Sequence, residues 1–256
     1  MKDNLIFLKE KDLDKKIYRI FSFQRLKEIF DEQKLTLVKL KLWDDPFENF
    51  ILNSTGILPD GRCCSFAFRD HYYGQCWSLN KESDAMWRIY SPNKDGVKVQ
   101  TTIRKLFSPI FQNAGIYYKA DGTPYNLSAF IGKVKYAKSK ALIEMLNDTG
   151  RMNSKIFDQT GWGQASTFFF KRIPFKHEQE VRIIYDVQND YSSDLYKVDI
   201  NPFEVFERIV FDPRMSEDNY NRHRAEVKSW GYTKSIIQSG LYKLRNFKIR
   251  LNPYQI

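Results

Sequence analysis

The segment Lys176-His177-Glu178-Gln179-Glu180-Val181-Arg182 places two glutamates two residues apart at the mouth of an apolar strand. In extended chain alternate side chains share a face, so Glu178 and Glu180 point the same way. Such a pair can divide labour: one carboxylate stabilises a cationic carbon or polarises a hydroxyl, while the other orients the attacking group. The same spacing also suits an exposed strand start with ion pairs to Lys176 or Arg182. A third reading puts Asp45, Glu178 and Glu180 around Mg²⁺ as a metal-dependent nuclease, although no lysine stands two residues after Glu180. Asp45 and Glu48 lie in the loop Trp43-Asp44-Asp45-Pro46-Phe47-Glu48-Asn49. There Asp45 is expected to organise the turn through local backbone hydrogen bonds, and both acids are candidates for a substrate loop.

Common catalytic templates are absent. The chain has no GxSxG elbow, P-loop, HExxH or kinase signature, and Gly161-Trp162-Gly163 lacks the third glycine and preceding strand of a dinucleotide fingerprint. Cys63, Cys64, His71 and Cys76 could supply four zinc ligands only if two adjacent cysteines shared one ion. Neighbours on a strand point to opposite faces, so we read these cysteines as buried thiols and expect no metal. An odd count of three without a CxxC pair also argues against a disulfide framework.

These residues need elements to hold them. Ile17–Phe21 reads as a strand, Ser22 as a cap, and Phe23, Leu26, Ile29 and Phe30 as the buried stripe of a helix reaching Gln33. Leu35–Leu42 is a second strand, and Pro46 in the following loop stops sheet pairing. Further strands are expected at 62–68 and 75–79, then a helix from Ser83 that carries Met86, Trp87 and Tyr90 and ends at Pro92 and Gly96. After a strand over Val97–Thr101, residues 103–172 read as a helical insertion, with strands at 116–119 and 132–136 and helices at 140–147 and 155–170, the last broken near Gly161. The alternating pattern resumes at Val181 and continues with strands near 195–200 and 208–211. A helix runs from Ser216 to Gly231, and final strands fall near 234–238 and 247–251. No repeat or linker divides the chain, so a single α+β domain over 1–256 is expected.

Composition narrows the partners. Forty-one Lys+Arg against 31 Asp+Glu give a net charge of +10, and 42% hydrophobic with 16% aromatic residues excludes a disordered chain. No apolar run is long enough for a membrane span and no signal segment opens the chain, which places the protein in the cytoplasm. A basic surface with aromatic side chains suits nucleic acid, whose phosphates it neutralises and whose unpaired bases it stacks. It equally describes the polar, Lys-rich face of a half-buried sheet.

Five short motifs occur in order: Tyr18-Arg19-Ile20-Phe21, the loop 43–49, Cys76 to Ser91, Gly96-Val97-Lys98-Val99, and His177 to Tyr185. Together they resemble the bacterial family labelled domain of unknown function 2971, over most of residues 17 to 250. Asp44 stands where that family usually has Asn, and Trp77 where it usually has Phe. The layout is also similar to the ADP-ribosyltransferase fold. That resemblance implies split mixed and antiparallel sheets with flanking helices around NAD, which is a co-substrate. It makes Glu180 the catalytic carboxylate at the nicotinamide ribose and Glu178 the first glutamate of an ExE pair. Arg19 would hold the pyrophosphate or adenosine ribose, Ser78 the nicotinamide ribose, and Tyr90 with Trp87 would stack on nicotinamide; Tyr18 joins this cofactor-binding set. The implied activity is NAD-dependent ADP-ribosylation of nucleic acid, RNA before DNA, by a toxin of anti-phage defence with an antitoxin protein and a chaperone as further partners. A metal-dependent nuclease and a non-catalytic nucleic-acid-binding module are the competing classes.

Overall fold

The computed structural model describes residues 1–45, 47–189, 191–244 and 248–251. Its centre is a ten-stranded mixed sheet. In chain order the strands are β1 (Leu5–Ile6), β2 (Lys16–Ser22), β3 (Lys34–Lys39), β4 (Tyr72–Ser78) and β5 (Gly96–Thr102), then β6 (Ala129–Lys133), β7 (Glu180–Asp186), β8 (Leu195–Asp199), β9 (Arg208–Phe211) and β10 (Ser235–Gln238). The spatial order is β1-β6-β7-β4-β2-β5-β9-β10, with β3 and β8 branching from β4. Pairs β1/β6 and β9/β10 are parallel and the others antiparallel.

The branch matters most. At its start β4 pairs with β3, through Tyr73–Lys39 and Gly74–Val38. At its end it meets β2 through one pair, Ser78–Tyr18. Strands β2 and β3 therefore leave the same side of β4 in different directions, and the sheet splits there into two wings. The expected split, mixed sheet with flanking helices is the observed architecture.

Local signals explain the elements that bound this split. In α1 (Phe23–Glu32) the Ser22 hydroxyl accepts from the Arg25 amide at 3.3 Å, and Gln33 leaves the helix in the left-handed region at φ 52°. Its Phe23, Leu26, Ile29 and Phe30 pack with Val97, Val99, Val181 and Ile183 on one face of the sheet, beside Ile103, Leu106, Phe107 and Ile110 of α3 (Ile103–Asn113). Between β4 and β5 lies α2 (Asp84–Tyr90), capped by Ser83. A second apolar cluster covers the other face, where Ile6, Phe130 and Ile184 meet Phe168 and Phe169, with Leu142, Met145 and Met152 from α4 (Ser139–Asn147) and α5 (Thr149–Ile156). Burial on both faces accounts for the nearly unbroken apolar run of β7. At the far wing α7 (Glu217–Ser229), capped by Ser216 and followed by Gly231 at φ 90°, runs as expected; α6 (Trp162–Thr167) is described below.

Several sequence expectations change. The strand expected at 62–68 is reduced to Cys63–Cys64, paired with Gly56–Ile57, and a 3-10 turn at Ala67–Asp70. Residues 103–172 are helical in α3 to α6, yet they also supply β6, which sits between β1 and β7. Gly132 makes this seat available: a Cβ there would lie 2.4 Å from the Ile6 carbonyl oxygen and 2.6 Å from the Phe169 ring. The break expected near Gly161 in the helix over 155–170 is present, with φ 74° at Gly161 between α5 and α6, but the helix ends at Thr167 and the chain enters a short strand, Phe170–Arg172, parallel to Lys135–Ala137. Of the strand expected at 247–251, Phe247 lies outside the described residues and 248–251 are irregular; Pro46 is likewise outside them. No helix among the described residues is long and apolar enough to cross a membrane.

Candidate active site

The split in the sheet opens a narrow cleft of about 120 Å³ that continues into open solvent. One residue row crosses it: Glu180 of β7 pairs with Ser78 of β4, Ser78 with Tyr18 of β2, and Tyr18 with Gln100 of β5. Directly opposed residues share a face, so the row lays Glu180, Ser78 and Tyr18 side by side. Arg19, Met86, Tyr90, Lys98 and Glu178 complete the lining that concerns the chemistry.

The two glutamates are buried and share one cation. Lys171 Nζ donates to Glu178 Oε2 at 2.5 Å and to Glu180 Oε1 at 2.6 Å, and lies 2.7 Å from Glu48 Oε1. Arg182, two residues along β7, donates to Glu180 Oε2 at 2.6 Å, to Glu48 Oε2 at 2.9 Å and to the Phe168 carbonyl at 2.7 Å. Three carboxylates thus surround two cations, all buried. With all three acids ionised the buried cluster would carry one net negative charge, and Glu178 is where a proton relieves it. Burial, and its neighbour Glu180, push Glu178 up to about 7 despite Lys171. Burial would raise Glu180 as well, but Arg182 and Lys171 overcome it and hold this carboxylate far below its ordinary range. The site therefore contains one fixed anion and one group that changes protonation near neutrality.

The turn between them is built by short-range bonds. Gln179 takes the left-handed conformation at φ 47°, its carbonyl accepts from the Leu79 amide at 2.9 Å, and the Ser78 hydroxyl donates to the Glu178 carbonyl at 2.5 Å. The same hydroxyl accepts from the Asn80 amide at 2.9 Å. Behind the turn, the Tyr136 oxygen accepts from the Glu180 amide at 2.9 Å. Tyr90, half out of the protein, donates its hydroxyl to Glu178 Oε1 at 3.3 Å. Its helix is fixed from below by Arg214, which donates to the carbonyls of Trp87 and Ser91 at 2.9 and 2.8 Å.

Arg19 is the half-buried cation of the cleft that lacks a counter-charge, whereas Lys81 at its rim is exposed. Among the described residues its guanidinium has no carboxylate partner and no hydrogen bond, and burial pushes it down to about 10. A desolvated guanidinium facing an open cleft is a receptor for an anion. Lys98, by contrast, is paired with Glu82 at 2.9 Å and lies over the rings of Tyr18 and Trp87.

Of the expected site residues, Glu178, Glu180, Arg19, Ser78, Tyr90 and Tyr18 meet in this cleft. Trp87 does not. It is fully buried, with its indole nitrogen donating to Glu82 at 3.0 Å, because the helix turns it toward the core while Tyr90 stays at the rim. Met86 lines the cleft in its place. Glu48 lies behind the cleft as a counter-charge to Lys171 and Arg182, and Asp45 bonds Arg172 at 3.0 Å and the Phe47 amide at 3.1 Å. The metal set of Asp45, Glu178 and Glu180 is not assembled, since each acid is taken by a different cation or shared lysine. Among the described residues no group of three or more His, Cys, Asp or Glu could hold a metal ion. Cys63 is exposed, and burial pushes the Cys76 thiol well up. Lys171 was not singled out from the sequence, and Arg182 entered only as an ion-pair partner at an exposed strand start, whereas its pair with Glu180 is buried. Their signal is a charge embedded in an apolar run, Phe168-Phe169-Phe170-Lys171 and Val181-Arg182-Ile183-Ile184, which demands a buried counter-charge.

No curated protein matches the chain. Among solved structures, DarT of Thermus sp. 2.9 in complex with NAD+ is similar over 88% of this chain and 96% of its own, at 11% identity and a TM-score of 0.37. The same protein in complex with ADP-ribosylated ssDNA is similar over 88% of this chain and 94% of its own, at 11% identity and a TM-score of 0.36. The family model described as Protein of unknown function (DUF2971) matches residues 86–183, the stretch that runs from the cleft's helix to the ExE strand, so the family resemblance carried by the ordered motifs is borne out there.

Proposed function

We propose that the protein is an NAD-dependent ADP-ribosyltransferase whose acceptor is nucleic acid. The observation that carries this reading is the cleft's arrangement: a fixed carboxylate and a neutral-range carboxyl share one wall with an unpartnered arginine and a half-exposed tyrosine ring. Breaking the bond between ribose C1′ and the nicotinamide nitrogen sends the electron pair to nicotinamide and leaves positive charge on C1′. Glu180, held ionised by Arg182 and Lys171, stabilises that charge. Arg19 takes the pyrophosphate through its planar fork, and Tyr90 supports the nicotinamide ring. An acceptor hydroxyl or amine then bonds to C1′ and gives its proton to Glu178, whose position near neutrality suits general-base work. Ser78 keeps the two glutamates in register by clamping the Glu178 carbonyl.

The net charge of +10 favours a polyanionic acceptor at a cleft that must also admit an anionic dinucleotide. RNA is the first acceptor to test and DNA the second, and the biological setting this activity implies is a toxin of anti-phage defence, acting in the cytoplasm and restrained by an antitoxin. The experiment is incubation with labelled NAD and, separately, RNA, single-stranded DNA and protein. Wild type is expected to label nucleic acid and Glu180→Gln to lose at least about a hundredfold in rate, the scale of losing one transition-state electrostatic contact, with an unchanged far-ultraviolet circular dichroism spectrum. Labelling retained by the folded variant, or label only on protein, overturns the reading. Cutting of either nucleic acid without NAD would instead identify a nuclease.

A further inference from the structure

On the other side of the Glu178–Glu180 turn lies a second, open concavity of about 520 Å³, lined by Phe7, Lys133, Lys135, Tyr136, Lys176 and Gln179, with Val134 at its base. No carboxylate lines it. The three lysines come from three different segments: the end of β6, the short strand Lys135–Ala137, and the 3-10 turn Ile173–Glu178. All three are exposed, and among the described residues none has an ion pair or a side-chain hydrogen bond. Some lysines elsewhere on this surface are paired with acids, as Lys41 is with Asp70, Lys105 with Glu207 and Lys197 with Glu32. An acid-free cluster of three is therefore a local field and not merely the average of a basic surface.

Two aromatic rings stand among these charges. Lys135 Nζ lies 3.7 Å from the centre of the Phe7 ring. Phe7 itself sits at φ 55°, a conformation that a bulky side chain adopts only under constraint. That turn brings its ring to the groove's wall, while the same ring packs edge-on against Phe170 at 5.6 Å. Tyr136 lines the groove and accepts the Glu180 amide at 2.9 Å, so the groove and the catalytic pair are separated by one thickness of backbone. Gln179, between the two glutamates, borders the groove while they border the cleft.

We infer that this groove holds the phosphodiester backbone of a single-stranded acceptor and leads its reactive nucleotide over the Gln179 turn to Glu178. Lysines without acidic partners neutralise successive phosphates, and the Tyr136 ring, with Phe7 beneath Lys135, gives unpaired bases an aromatic wall to pack on, the combination that single-strand grooves use. A duplex is too stiff and its bases too enclosed to use such rings. The assignment rests on the function proposed above for the identity of the polymer, whereas the groove itself stands on its own geometry.

The test uses the full chain and fluorescein-labelled oligothymidine and oligouridine of about 12 nucleotides, within the span such grooves cover. Binding is measured by anisotropy across a salt series, alongside hydrolysis of NAD without acceptor. Lys133→Glu/Lys135→Glu is expected to bind both oligomers at least about tenfold more weakly. The milder Lys133→Gln/Lys135→Gln is expected to flatten the log–log salt slope by about 1.4, two phosphate contacts on a single strand. Both variants should melt like wild type and hydrolyse NAD at its rate. Unchanged affinity and slope in the glutamine variant overturn the groove, as does a polyglutamate that displaces the oligomers at equal charge, which would make the partner an acidic protein. Loss of oligomer binding in proteins that cleave no NAD would support the groove while removing the transferase reading.

Discussion

Glu178 and Glu180 are chemically identical and two residues apart, yet their surroundings send them in opposite directions. Glu180 meets Arg182 and Lys171 together, whereas Glu178 has only a share of Lys171 and the Tyr90 hydroxyl. With two cations for three carboxylates, the buried cluster is neutral when Glu178 holds a proton and negative when it does not. A pH dependence follows. If Glu178 is the base, kcat/KM rises with pH through about 7 and levels off above it, and Glu178→Gln removes this inflection as well as most of the rate. Stability moves the other way. The ordinary glutamate value is 4.5, so between there and about 7 the native chain holds a proton that the unfolded chain has released. That contribution is complete below 4.5 and is lost as pH rises through about 7. Glu180, depressed, contributes above the ordinary range and loses its contribution on acidification. A pH–rate profile with no inflection near 7, set beside urea titrations at the same pH values, would remove Glu178 from the base role.

At the scale of elements, the site depends on segments that arrive from far along the chain. The loop after β3 delivers Glu48, the short strand after α6 delivers Lys171, and β7 delivers Glu180 and Arg182. Replacing Glu48 by Ala leaves Lys171 and Arg182 buried with less counter-charge, which costs about 3–5 kcal/mol by the precedent of broken buried pairs; urea unfolding measures it, and a loss under about 1 kcal/mol would mean that water reaches the cluster. These long-range arrivals also explain what could be read from the sequence. The helix Phe23–Glu32 was legible because its cap and its apolar spacing are local, and Glu180 because it opens an apolar strand; Glu178 shares its lysine through a 3-10 turn and a left-handed Gln179, not through the extended chain that the spacing suggested. Lys171 was not legible. Its segment continues the helical pattern of 155–170, and only parallel pairing of Phe170–Arg172 with Lys135–Ala137, more than thirty residues away, turns it into a strand aimed at the glutamates. Trp87 and Tyr90 illustrate the same boundary. Their spacing says that they are near neighbours on a short helix, but which of them meets solvent is decided by Lys98, Glu82 and Arg214, none of which belongs to that helix.

Across the whole molecule, the split sheet separates two electrostatic environments that salt should distinguish. The cleft proposed for the dinucleotide is lined, apart from Lys81 at its rim, by buried or half-buried charges, and counter-ions screen such charges far less than those on the surface. The proposed acceptor groove, in contrast, is lined by the exposed Lys133, Lys135 and Lys176 of a chain whose net charge is +10. Hydrolysis of NAD without acceptor should therefore change by less than about twofold between 50 and 200 mM salt, since ions reach the cleft poorly. Transfer to RNA or single-stranded DNA at subsaturating concentration should fall much further over the same range. With three groove lysines each contacting a phosphate, a slope near −2 in the log–log plot predicts a loss of about twentyfold. The ratio of transfer to hydrolysis, measured on one preparation in one salt series, isolates the acceptor's contribution because the bond that breaks is the same in both reactions. A ratio that stays constant would place the acceptor inside the screened cleft and leave the basic surface without a part in recognition. A ratio that falls with the predicted slope would tie the charge of the whole chain to the chemistry at Glu180.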